Sequence, residues 1–385
     1  MSAFDVIVVG VGAAGSAAAY HLARRGARVL ALDRSTIPND DASHGGITRV
    51  IRQAYFEHPD YVPLLLRAYE NWRALEREGG ERLLFTPGVL YAGSAGSPLI
   101  QGCLRSARLH GLVLDQLTES AHAARFGEFT LPPGHVSLFE PAGGYLLAEP
   151  SIKAHARLAA SHGAMIRERE PVRRWGADAR EAWAETDRGR FRAGALVLCA
   201  GAWMPRIAGL STPLRVTRQT LVWTKPQRPE LFARPDAPVW ALMDDDDSMY
   251  YGFPAGAGWA GGPGLKAARH FPGPEINPDL ADREPSPEQI EQVRGFLRRR
   301  LPGADGELLR AQTCLYTTTP DEHFIIDRHP EHERVIVASP CSGHGFKFAS
   351  VIGEILADLA MTGRSALPVE FLSLARFAVS RRLSV

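Results

Sequence analysis

The sequence predicts a mixed α/β (α+β) fold, in which a domain of parallel strands and helices is interrupted by an antiparallel-sheet insert. A strand–helix–strand unit with a glycine-rich first turn opens the chain, and further strand–helix segments occur in its middle and at its end. Turn-rich segments with alternating apolar residues fill residues 220–280. With 385 residues, the chain is long enough for two domains with separate cores.

The opening unit has the pattern of a Rossmann-like nucleotide-binding domain. FDVIVVG (4–10) is short, β-branched and continuously apolar, which is typical of a buried parallel strand, and ARVLALD (27–33) predicts the next strand. Between them, AAGSAAAYHLARRG has helical composition and ends at a glycine, which commonly terminates helices. The unit therefore predicts a strand, a helix and a second parallel strand in immediate succession.

Three glycines stand at the turn from the first strand into the helix. Gly10, Gly12 and Gly15 have the G-x-G-x-x-G spacing that allows a tight turn and the close approach of a pyrophosphate to the backbone. Asp33 ends the second strand, where a carboxylate would accept hydrogen bonds from a ribose 2′-hydroxyl and would disfavour a 2′-phosphate. The combination predicts a site for FAD or NAD rather than NADP. The alternative interpretation is a glycine-rich turn without a ligand.

Later segments predict that this nucleotide-binding domain is discontinuous. Helical patterns cover residues 60–78, 287–303 and 348–363, and apolar strands cover residues 195–201 and 334–340. Segments such as QTLVWTK and MYYGFP alternate in polarity and indicate an antiparallel sheet. The expected division is a nucleotide-binding domain of residues 1–85, 147–218 and 310–385 and a substrate domain of residues 86–146 and 219–309.

Composition disfavours several classes of function. Lys and Arg (44) nearly balance Asp and Glu (43), and the net charge of +1 gives no reason to expect a nucleic acid or an anionic membrane as partner. No apolar run reaches the roughly 18 residues of a membrane span, and the first residues lack the basic region of a signal peptide. The four cysteines form no C-x-x-C pair, which disfavours zinc and fits a reducing compartment. We therefore expect a cytoplasmic protein.

Two arginines follow the glycine-rich unit in SHGGITRVIRQAY (43–55). Arg49 and Arg52 are close in sequence to Ser43 and Thr48, and their spacing of three predicts a shared helix face or a turn. A guanidinium group binds a carboxylate through two parallel hydrogen bonds, so the pair suits a flavin ring and a substrate carboxylate. The alternative is a solvated basic surface, which is the usual place of such pairs.

Two cysteines raise the question of a nucleophile. Cys314, in AQTCLYTTTPDEHFIID (311–327), is open to four interpretations: a core residue, a metal ligand, a nucleophile or a tether for a cofactor. Cys341 stands near His344 in CSGHGFKF, but the chain has no G-x-S-x-G elbow and the pair is close only in sequence, which disfavours a cysteine hydrolase. The glycines and the lysine of this segment precede a helix, which favours binding of an anionic flavin edge or a carboxylate.

The run DDDDSMYYGFP (244–254) contains four adjacent acidic residues. On a loop such a run is more often a solvated turn than a metal site, and no histidine spacing supports a set of ligands, so we predict no metal. In a strand, Tyr250 and Tyr251 would point to opposite faces, which places one of them toward a cavity.

Taken together, these motifs resemble those of the monomeric sarcosine oxidase and N-methyltryptophan oxidase family, within the D-amino-acid-oxidase-like FAD-dependent amine oxidoreductases. The shared motifs are S-H-x-G-x-T-R-x-I-R-x-A-Y, Y-V-P-L, Y-Y-G-F-P, G-L-K, C-x-Y-x-x-x-x-D-E-H-F-I-I-D and S-G-H-G-F-K-F. They extend, in the order of the family, over nearly the whole chain from FDVIVVG to GEILADLA. The resemblance implies a Rossmann-like FAD-binding domain with an inserted antiparallel-sheet substrate domain.

The resemblance also implies roles for individual residues. The cysteine of C-x-Y carries FAD covalently in that family, as a thioether to the flavin 8α carbon, and Cys314 holds that position. Arg52 and Lys347 would bind the substrate carboxylate, and Arg49 would lie near the flavin. Lys266 would meet oxygen, because an ammonium group stabilises developing superoxide. Further residues implied at the substrate are His270, Tyr316 and Tyr251, and those implied at the cofactor are Gly10, Gly12, Gly15, Asp33, Ser43, Thr48, Val172, Gly201, Gly343, Gly345 and Lys347.

The implied activity is the oxidation of a secondary amine, such as an N-methyl or cyclic amino acid. The amine gives a hydride equivalent to the flavin, and the reduced flavin passes its electrons to O2 to form hydrogen peroxide. A monomer is expected. Two alternatives stay open: a flavin-dependent amine dehydrogenase that uses an acceptor other than oxygen, and a non-catalytic dinucleotide-binding protein.

The sequence departs from the usual family pattern S-H-H-G-D-T-R at Gly45 and Ile47, which removes an imidazole and a carboxylate beside the flavin. Phe56 and His58 occupy a loop that is usually smaller, and a later loop that contains Trp259 is longer than usual. We therefore expect an amine substrate other than sarcosine.

Overall fold

The computed structural model describes residues 4–210, 212, 214–257, 264–270, 273–280 and 284–380, with residues 378–380 as backbone alone. Trp259 lies outside the described residues. The helices are α1 (Ala13–Arg24), α2 (Tyr61–Gly79), α3 (Pro98–His110), α4 (Glu119–Phe126), α5 (Ala148–Ser161), α6 (Met204–Ile207), α7 (Pro229–Phe232), α8 (Pro287–Arg300), α9 (Ala349–Thr362) and α10 (Ala375–Ser380). The strands are β1 (Phe4–Val9), β2 (Val29–Leu32), β3 (Thr48–Ile51), β4 (Leu84–Phe85), β5 (Val89–Ser94), β6 (Asp115–Leu117), β7 (His135–Glu140), β8 (Gly144–Leu147), β9 (Met165–Arg167), β10 (Arg174–Ala177), β11 (Ala182–Thr186), β12 (Gly189–Leu198), β13 (Arg215–Lys225), β14 (Val239–Met243), β15 (Met249–Phe253), β16 (Leu265–His270), β17 (Glu307–Thr318), β18 (Ile325–His329) and β19 (His332–Ser339).

The first sheet has eight strands, and its centre is parallel. Strand β1 lies between β12 and β2, β2 pairs with β9, and β12 pairs with β19, all in parallel register. Because the carboxyl ends of parallel strands meet at one edge, the residues that follow β1, β2 and β12 come together there. These residues are Gly10, Asp33 and Cys199. The predicted strand–helix–strand unit at the start of the chain is confirmed.

The helices on this sheet approach one another closely. Helix α1 contacts both α5 and α9, and a Cβ atom at Gly353 of α9 would lie 2.4 Å from the carbonyl carbon of Ala17 in α1. At the start of α1, a Cβ atom at Gly15 would lie 1.8 Å from the Gly10 carbonyl oxygen. The third glycine of the G-x-G-x-x-G motif is therefore required by the packing of the turn against the helix.

The second sheet has eight strands in the order β17-β13-β16-β15-β14-β5-β7-β6, all antiparallel except the β14–β5 pair. Helix α8 packs on one face, where Phe296 stacks on Tyr250 with ring centroids 4.0 Å apart. Tyr251 lies on the other face, which borders a large cavity. The predicted antiparallel sheet and the division of the two tyrosines between its faces are confirmed. A short third sheet, β3-β8-β4, lies beside the cavity, which Arg49 and Val50 of β3 line.

The acidic run before Tyr250 binds the end of α8. Asp244 is buried and accepts hydrogen bonds from Arg299 (2.6 Å) and Arg300 (2.8 Å), and Asp245 also pairs with Arg300. The expectation of a wholly solvated turn is therefore wrong at Asp244.

Among the described residues, no group of three or more His, Cys, Asp or Glu side chains is placed to hold a metal ion. Within the same part of the chain, no helix has the length and apolarity needed to cross a bilayer.

Two strands of the second sheet cross the predicted domain boundaries. The predicted boundaries follow residue 218 and precede residue 310, whereas β13 begins at Arg215 and β17 begins at Glu307. The two strands pair along their whole length, so the ladder favours placing both of them in the substrate domain. The division of the chain into two discontinuous domains stays a prediction.

We expect Gly353→Ala to lower the free energy of unfolding by about 1–3 kcal/mol, because the added methyl group would push α1 and α9 apart. Gly295→Ala in α8 is the matched control, because a Cβ atom there would lie 3.4 Å from its nearest neighbour, the tip of the Arg299 side chain. Replacing that helix glycine should instead stabilise the protein by about 0.5–1 kcal/mol. Urea unfolding measures both changes, and equal effects would contradict the close packing of α1 and α9.

Candidate functional site

A cavity of about 790 Å³ lies where the carboxyl ends of β1, β2 and β12 face the second sheet. Most of the residues expected at a site line it: Gly10, Gly12, Asp33, Ser43, Arg49, Arg52, Val172, Gly201, Tyr251, His270, Cys314, Tyr316, Gly343, Gly345 and Lys347. Gly15, Thr48 and Lys266 are described but are not part of the lining. The fold thus gathers segments from the beginning, middle and end of the chain around one cavity.

The glycine-rich turn and Asp33 form one end of the cavity. Gly10 has a φ of +88°, and a Cβ atom there would lie 2.5 Å from a carbonyl oxygen at the end of β12, so only glycine fits. Helix α1 begins after Gly12 without a side-chain cap, which leaves the backbone N–H groups of its first turn available to an anion. Asp33 accepts hydrogen bonds from the backbone N–H groups of Val11 (2.7 Å) and Ser35 (2.8 Å), which orient its carboxylate.

Asp279 reaches the same end of the cavity from a different part of the chain. Its carboxylate accepts hydrogen bonds from Trp203 Nε1 (2.6 Å) and Arg34 (3.1 Å) and also pairs with Arg206. The Arg34 guanidinium lies over the Trp203 ring, 4.5 Å from its centroid. Sequence analysis missed these residues, because partners that are far apart in the chain leave no local pattern.

The loop before β3 is held by Arg49. The guanidinium group of Arg49 donates hydrogen bonds to the carbonyl oxygens of Gly45 (2.6 Å), Thr48 (2.8 Å) and Ser43 (3.0 Å). Arg49 lies within β3 and Arg52 directly follows it, so the predicted helix face or turn for this pair is wrong. The extended strand gives the two arginines separate positions on the cavity wall.

The two departures from the family pattern, Gly45 and Ile47, differ in their surroundings: Gly45 has little free space beside it, and Ile47 has an unusual backbone conformation. A Cβ atom at Gly45 would lie 3.3 Å from Gln312 Nε2, so the Gln312 amide occupies space that a larger side chain would need. Ile47 has a φ of +72°, a left-handed conformation that costs a β-branched residue on the order of 1–2 kcal/mol. Glu149 offsets this strain, because its Oε1 accepts the N–H groups of Gly46 and Ile47, both at 3.0 Å.

Lys266 is buried beneath this loop. Its Nζ donates hydrogen bonds to the carbonyl oxygens of Gly46 (2.6 Å) and Thr48 (2.8 Å) and lies 4.6 Å from the centroid of the Phe253 ring. Burial, and then the neighbouring Arg49, hold the pKa of Lys266 well below its usual range. Lys266 lies behind the loop rather than in the cavity lining, and its contact with oxygen stays a prediction.

Cys314 and Tyr316 line the cavity from alternate positions of β17. Cys314 is buried in an apolar cluster to which Ile47 also belongs. Burial raises the pKa of the Cys314 thiol, and the cations Arg49 and Lys266 oppose that shift. Cys314 therefore lines the cavity as a neutral thiol, and the two nearby basic groups reduce the cost of forming its thiolate without reversing the effect of burial.

His270, Tyr316 and Tyr251 form an aromatic group at the cavity wall. His270 Nδ1 lies 3.2 Å from Tyr316 Oη, and the rings of His270 and Tyr251 meet edge to face with centroids 6.2 Å apart. Burial lowers the pKa of His270 to about 4, so that the imidazole is neutral at neutral pH. A neutral imidazole beside hydroxyl groups can orient an uncharged amine by hydrogen bonding.

Arg52 holds a carboxylate inside the cavity. Its guanidinium group donates to both oxygens of Glu57 (2.5 and 2.7 Å) and to the carbonyl oxygen of Ala54, and it contacts the rings of Tyr55 (4.2 Å) and Phe56 (4.4 Å). Burial acts to raise the pKa of Glu57, but Arg52 outweighs it and brings the pKa to about 2. Glu57 is therefore ionised. Sequence analysis did not predict a role for Glu57, although its position five residues after Arg52 could have suggested an ion pair.

Lys347 also approaches the Tyr55 ring, at 5.3 Å from its centroid, and its Nζ donates to the carbonyl oxygen of His344 (2.6 Å). His344 Nε2 lies 3.0 Å from the carbonyl oxygen of Glu322, which can only accept, so Nε2 carries the proton. The other nitrogen then accepts the hydroxyl proton of Tyr55. Burial, and then Arg52, hold the pKa of Lys347 well below its usual range. Tyr55 thus contacts both of the cations expected to bind a carboxylate.

The chain resembles known proteins over nearly its whole length. Residues 5–359 match the family model DAO, described as FAD dependent oxidoreductase. The chain belongs to this family. It is 37% identical to the monomeric sarcosine oxidase of Bacillus sp. (strain NS-129) over 384 residues, which are 98% of each chain. It is 35% identical to the N-methyl-L-tryptophan oxidase of Yersinia pestis (strain Pestoides F) over 377 residues, which are 97% of this chain and 99% of the relative.

A solved structure supports the same assignment. NikD, described as an unusual amino acid oxidase essential for nikkomycin biosynthesis, superposes with a TM-score of 0.84 and 28% identity over 97% of this chain and 98% of NikD. The predicted family and fold class are confirmed, and so is the prediction of an FAD-dependent oxidoreductase of the sarcosine-oxidase-like group.

The residues of the cavity fit FAD. The Ser43 hydroxyl lines the cavity and has no hydrogen-bond partner among the described residues, which a cofactor contact would satisfy. The uncapped first turn of α1 suits the pyrophosphate of FAD, and Asp33 suits its ribose. Arg49 and Cys314 would lie at the flavin end of the same cavity.

We expect the free energy of unfolding to fall as the pH drops from 6.5 to about 4, because buried histidines resist protonation in the folded protein. Burial lowers the pKa of His44 and His270 to about 4, and that of His155 and His344 to about 3. In this window the unfolded chain binds protons that the folded chain excludes. Each histidine therefore removes up to about 1.4 kcal/mol of stability per pH unit, and the stability is fully present above pH 6.5.

His155→Gln isolates one of these groups, because His155 packs against Trp72 and Tyr20 and is not part of the cavity lining. Urea unfolding at a series of pH values in this window should give a shallower decline for the variant than for the unmodified protein. Identical declines would contradict a neutral, buried His155.

Proposed function

We propose that this protein oxidises secondary amino acids, with FAD as electron acceptor and O2 as final oxidant. The observation that carries the proposal is that two basic side chains, Arg52 and Lys347, line the same cavity as the neutral His270 and Tyr316. The names of the relatives, a sarcosine oxidase and an N-methyl-L-tryptophan oxidase, support this class of substrate. When bound, FAD supplies the two-electron acceptor that no side chain provides.

Arg52 and Lys347 would bind the substrate carboxylate. Glu57 keeps Arg52 charged and orients its guanidinium group before a substrate arrives. The protonation of Lys347 depends on the substrate more than that of Arg52 does. Burial disfavours its ammonium form, and a nearby carboxylate would restore it. Tyr55, which His344 fixes by a hydrogen bond, contacts both cations and helps to set their positions.

Burial beside His270 favours the uncharged form of the amine. It is the largest influence on the pKa of His270 itself; Arg52 and Lys347 act in the same direction, and Glu57 acts against it. The neutral His270 and the hydroxyl of Tyr316 can orient the amine nitrogen and leave its lone pair free. Binding of the free base is what the removal of a hydride from the adjacent carbon requires.

Buried positive charge favours O2 as the acceptor. Arg49 lines the cavity, and Lys266 is bound behind the same loop through the carbonyl oxygens of Gly46 and Thr48. Positive charge stabilises the anion that forms when oxygen takes its first electron. The alternative is a dehydrogenase on the same fold, whose reduced flavin would react with another acceptor.

The decisive experiment mixes the flavin-loaded protein with secondary amino acids in the absence of air. We expect N-methyl or cyclic amino acids to bleach the visible flavin absorbance, and admission of air to restore it with one hydrogen peroxide formed for each amine oxidised. Bleaching without peroxide formation in air would favour the dehydrogenase. A flavin that no amine bleaches would overturn the assignment as an amine oxidoreductase.

We further propose that Cys314 carries FAD as a thioether. After acid denaturation and centrifugation, flavin should remain in the protein pellet, and in Cys314→Ala it should move to the supernatant. Cys199→Ala is the matched control, because Cys199 is also a buried free thiol in the cavity lining and should keep its flavin in the pellet. Flavin in the supernatant of the unmodified protein would contradict the tether.

We propose that the protein is a monomer that works in the cytoplasm. The relatives of the sarcosine oxidase group are described as monomeric. All four cysteines are free thiols, which fits a reducing compartment.

A further inference from the structure

One part of the cavity wall is apolar. It is lined by Val89, which belongs to a buried apolar cluster, and by the partly buried Val50, Phe56, Ala241 and Met249, which pack against that cluster. They come from β3, the loop that follows it, β5, β14 and β15. The wall is therefore built by the second and third sheets together, whereas the glycine-rich turn that suits the nucleotide follows β1 of the first sheet.

The strand register places this wall beside the groups that face the substrate. Met249 is paired with His270 across β15 and β16, and Ala241 is paired with Tyr251 across β14 and β15. At the other side, the Phe56 ring contacts the Arg52 guanidinium at 4.4 Å. A substrate that is held by its carboxylate at Arg52 and by its amine near His270 therefore has its α-carbon substituent against the apolar wall.

The carboxylates of the described lining have partners elsewhere. Glu57 pairs with Arg52, Asp279 pairs with Arg34, and Asp33 accepts backbone hydrogen bonds at the nucleotide end. A cationic substituent at the wall would lack a counter-ion, and an anionic one would be desolvated against side chains that donate no hydrogen bond. An apolar substituent gains free energy there in proportion to the area it buries.

We infer that the substrate of this site is an N-methyl or cyclic amino acid with an apolar substituent on its α carbon, and that Ala241 sets how large that substituent can be. The inference rests on the proposed amine oxidation and names the substrate class within it. Ala241 is the smallest side chain of the wall and is paired with Tyr91 of β5 and Tyr251 of β15, both of which are larger. Its size therefore controls how much room the wall leaves for the substituent.

The test compares kcat/KM for sarcosine, N-methyl-L-leucine and N-methyl-L-aspartate on the flavin-loaded protein. We expect N-methyl-L-leucine to exceed sarcosine by about tenfold or more, since a buried aliphatic group is worth at least that factor. Ala241→Phe should lower the leucine-to-sarcosine ratio by about tenfold, and Ala241→Val should lower it by less. Val239→Ile is the matched control: Val239 lies on the same strand and face, two residues away, but outside the cavity lining, so the ratio should persist.

The visible flavin spectrum of each variant reports whether it has folded around its cofactor, and Ala241→Val provides the result if Ala241→Phe fails to fold. Highest activity with sarcosine or N-methyl-L-aspartate would overturn the inference while leaving amine oxidation in place. An unchanged ratio in a correctly folded Ala241 variant would overturn the role of Ala241. If no amine bleaches the flavin, the proposed function fails and the inference fails with it.

Discussion

Placing four basic side chains around one cavity is the constraint on which the site depends. Arg52, Lys266 and Lys347 are almost fully buried, and Arg49 is partly buried. A desolvated charge costs several kcal/mol unless polar partners replace the lost water. Arg52 is compensated by a full negative charge on Glu57, whereas the hydrogen bonds of the other three go mainly to backbone carbonyl oxygens. Because carbonyl oxygens carry only partial charge, burial lowers the pKa of both lysines, and an anionic carboxylate or a reduced flavin nearby would restore their ammonium forms.

Carbonyl oxygens can compensate a buried cation only if the backbone brings several of them together. In this loop that arrangement requires a strained conformation at Ile47. The loop before β3 turns through left-handed conformations at Gly46 (φ +108°) and Ile47 (φ +72°), so that carbonyls from neighbouring residues converge on Lys266 and Arg49. Glycine adopts such a conformation freely, but isoleucine does not. The two hydrogen bonds that Glu149 accepts hold the strained turn, which links a residue of α5 to the electrostatics of the cavity.

The two large sheets contribute different chemistry to the same cavity. The parallel sheet supplies backbone: glycine turns, a helix start and strand ends, which suit the phosphates and sugar of a nucleotide. The antiparallel sheet supplies side chains on alternate positions of its strands, including the tyrosine and histidine groups and, in the apolar wall, Val89, Ala241 and Met249. The cavity therefore has a polar end shaped by backbone geometry and a more selective end shaped by side chains.

The sequence by itself determined the features that depend on local patterns. The first strand–helix–strand unit, the G-x-G-x-x-G turn, Asp33 at the end of β2 and the opposite faces of Tyr250 and Tyr251 all follow from periodicity and turn chemistry within short segments. The motifs near residues 43–55, 314–327 and 341–348 also indicated the family, and the family resemblance pointed to most of the expected residues that line the cavity.

The tertiary structure alone decided which of those residues share a wall and how their charges are balanced. Lys266 lies behind the loop instead of in the lining, Gln312 takes the space beside Gly45, and Asp279 joins Arg34 and Trp203 across the nucleotide end. These contacts join residues that are far apart in the chain, and they depend on the order of strands in the sheets. A local pattern encodes the period and the turns of a segment, but it carries no information about the segment that will lie against it.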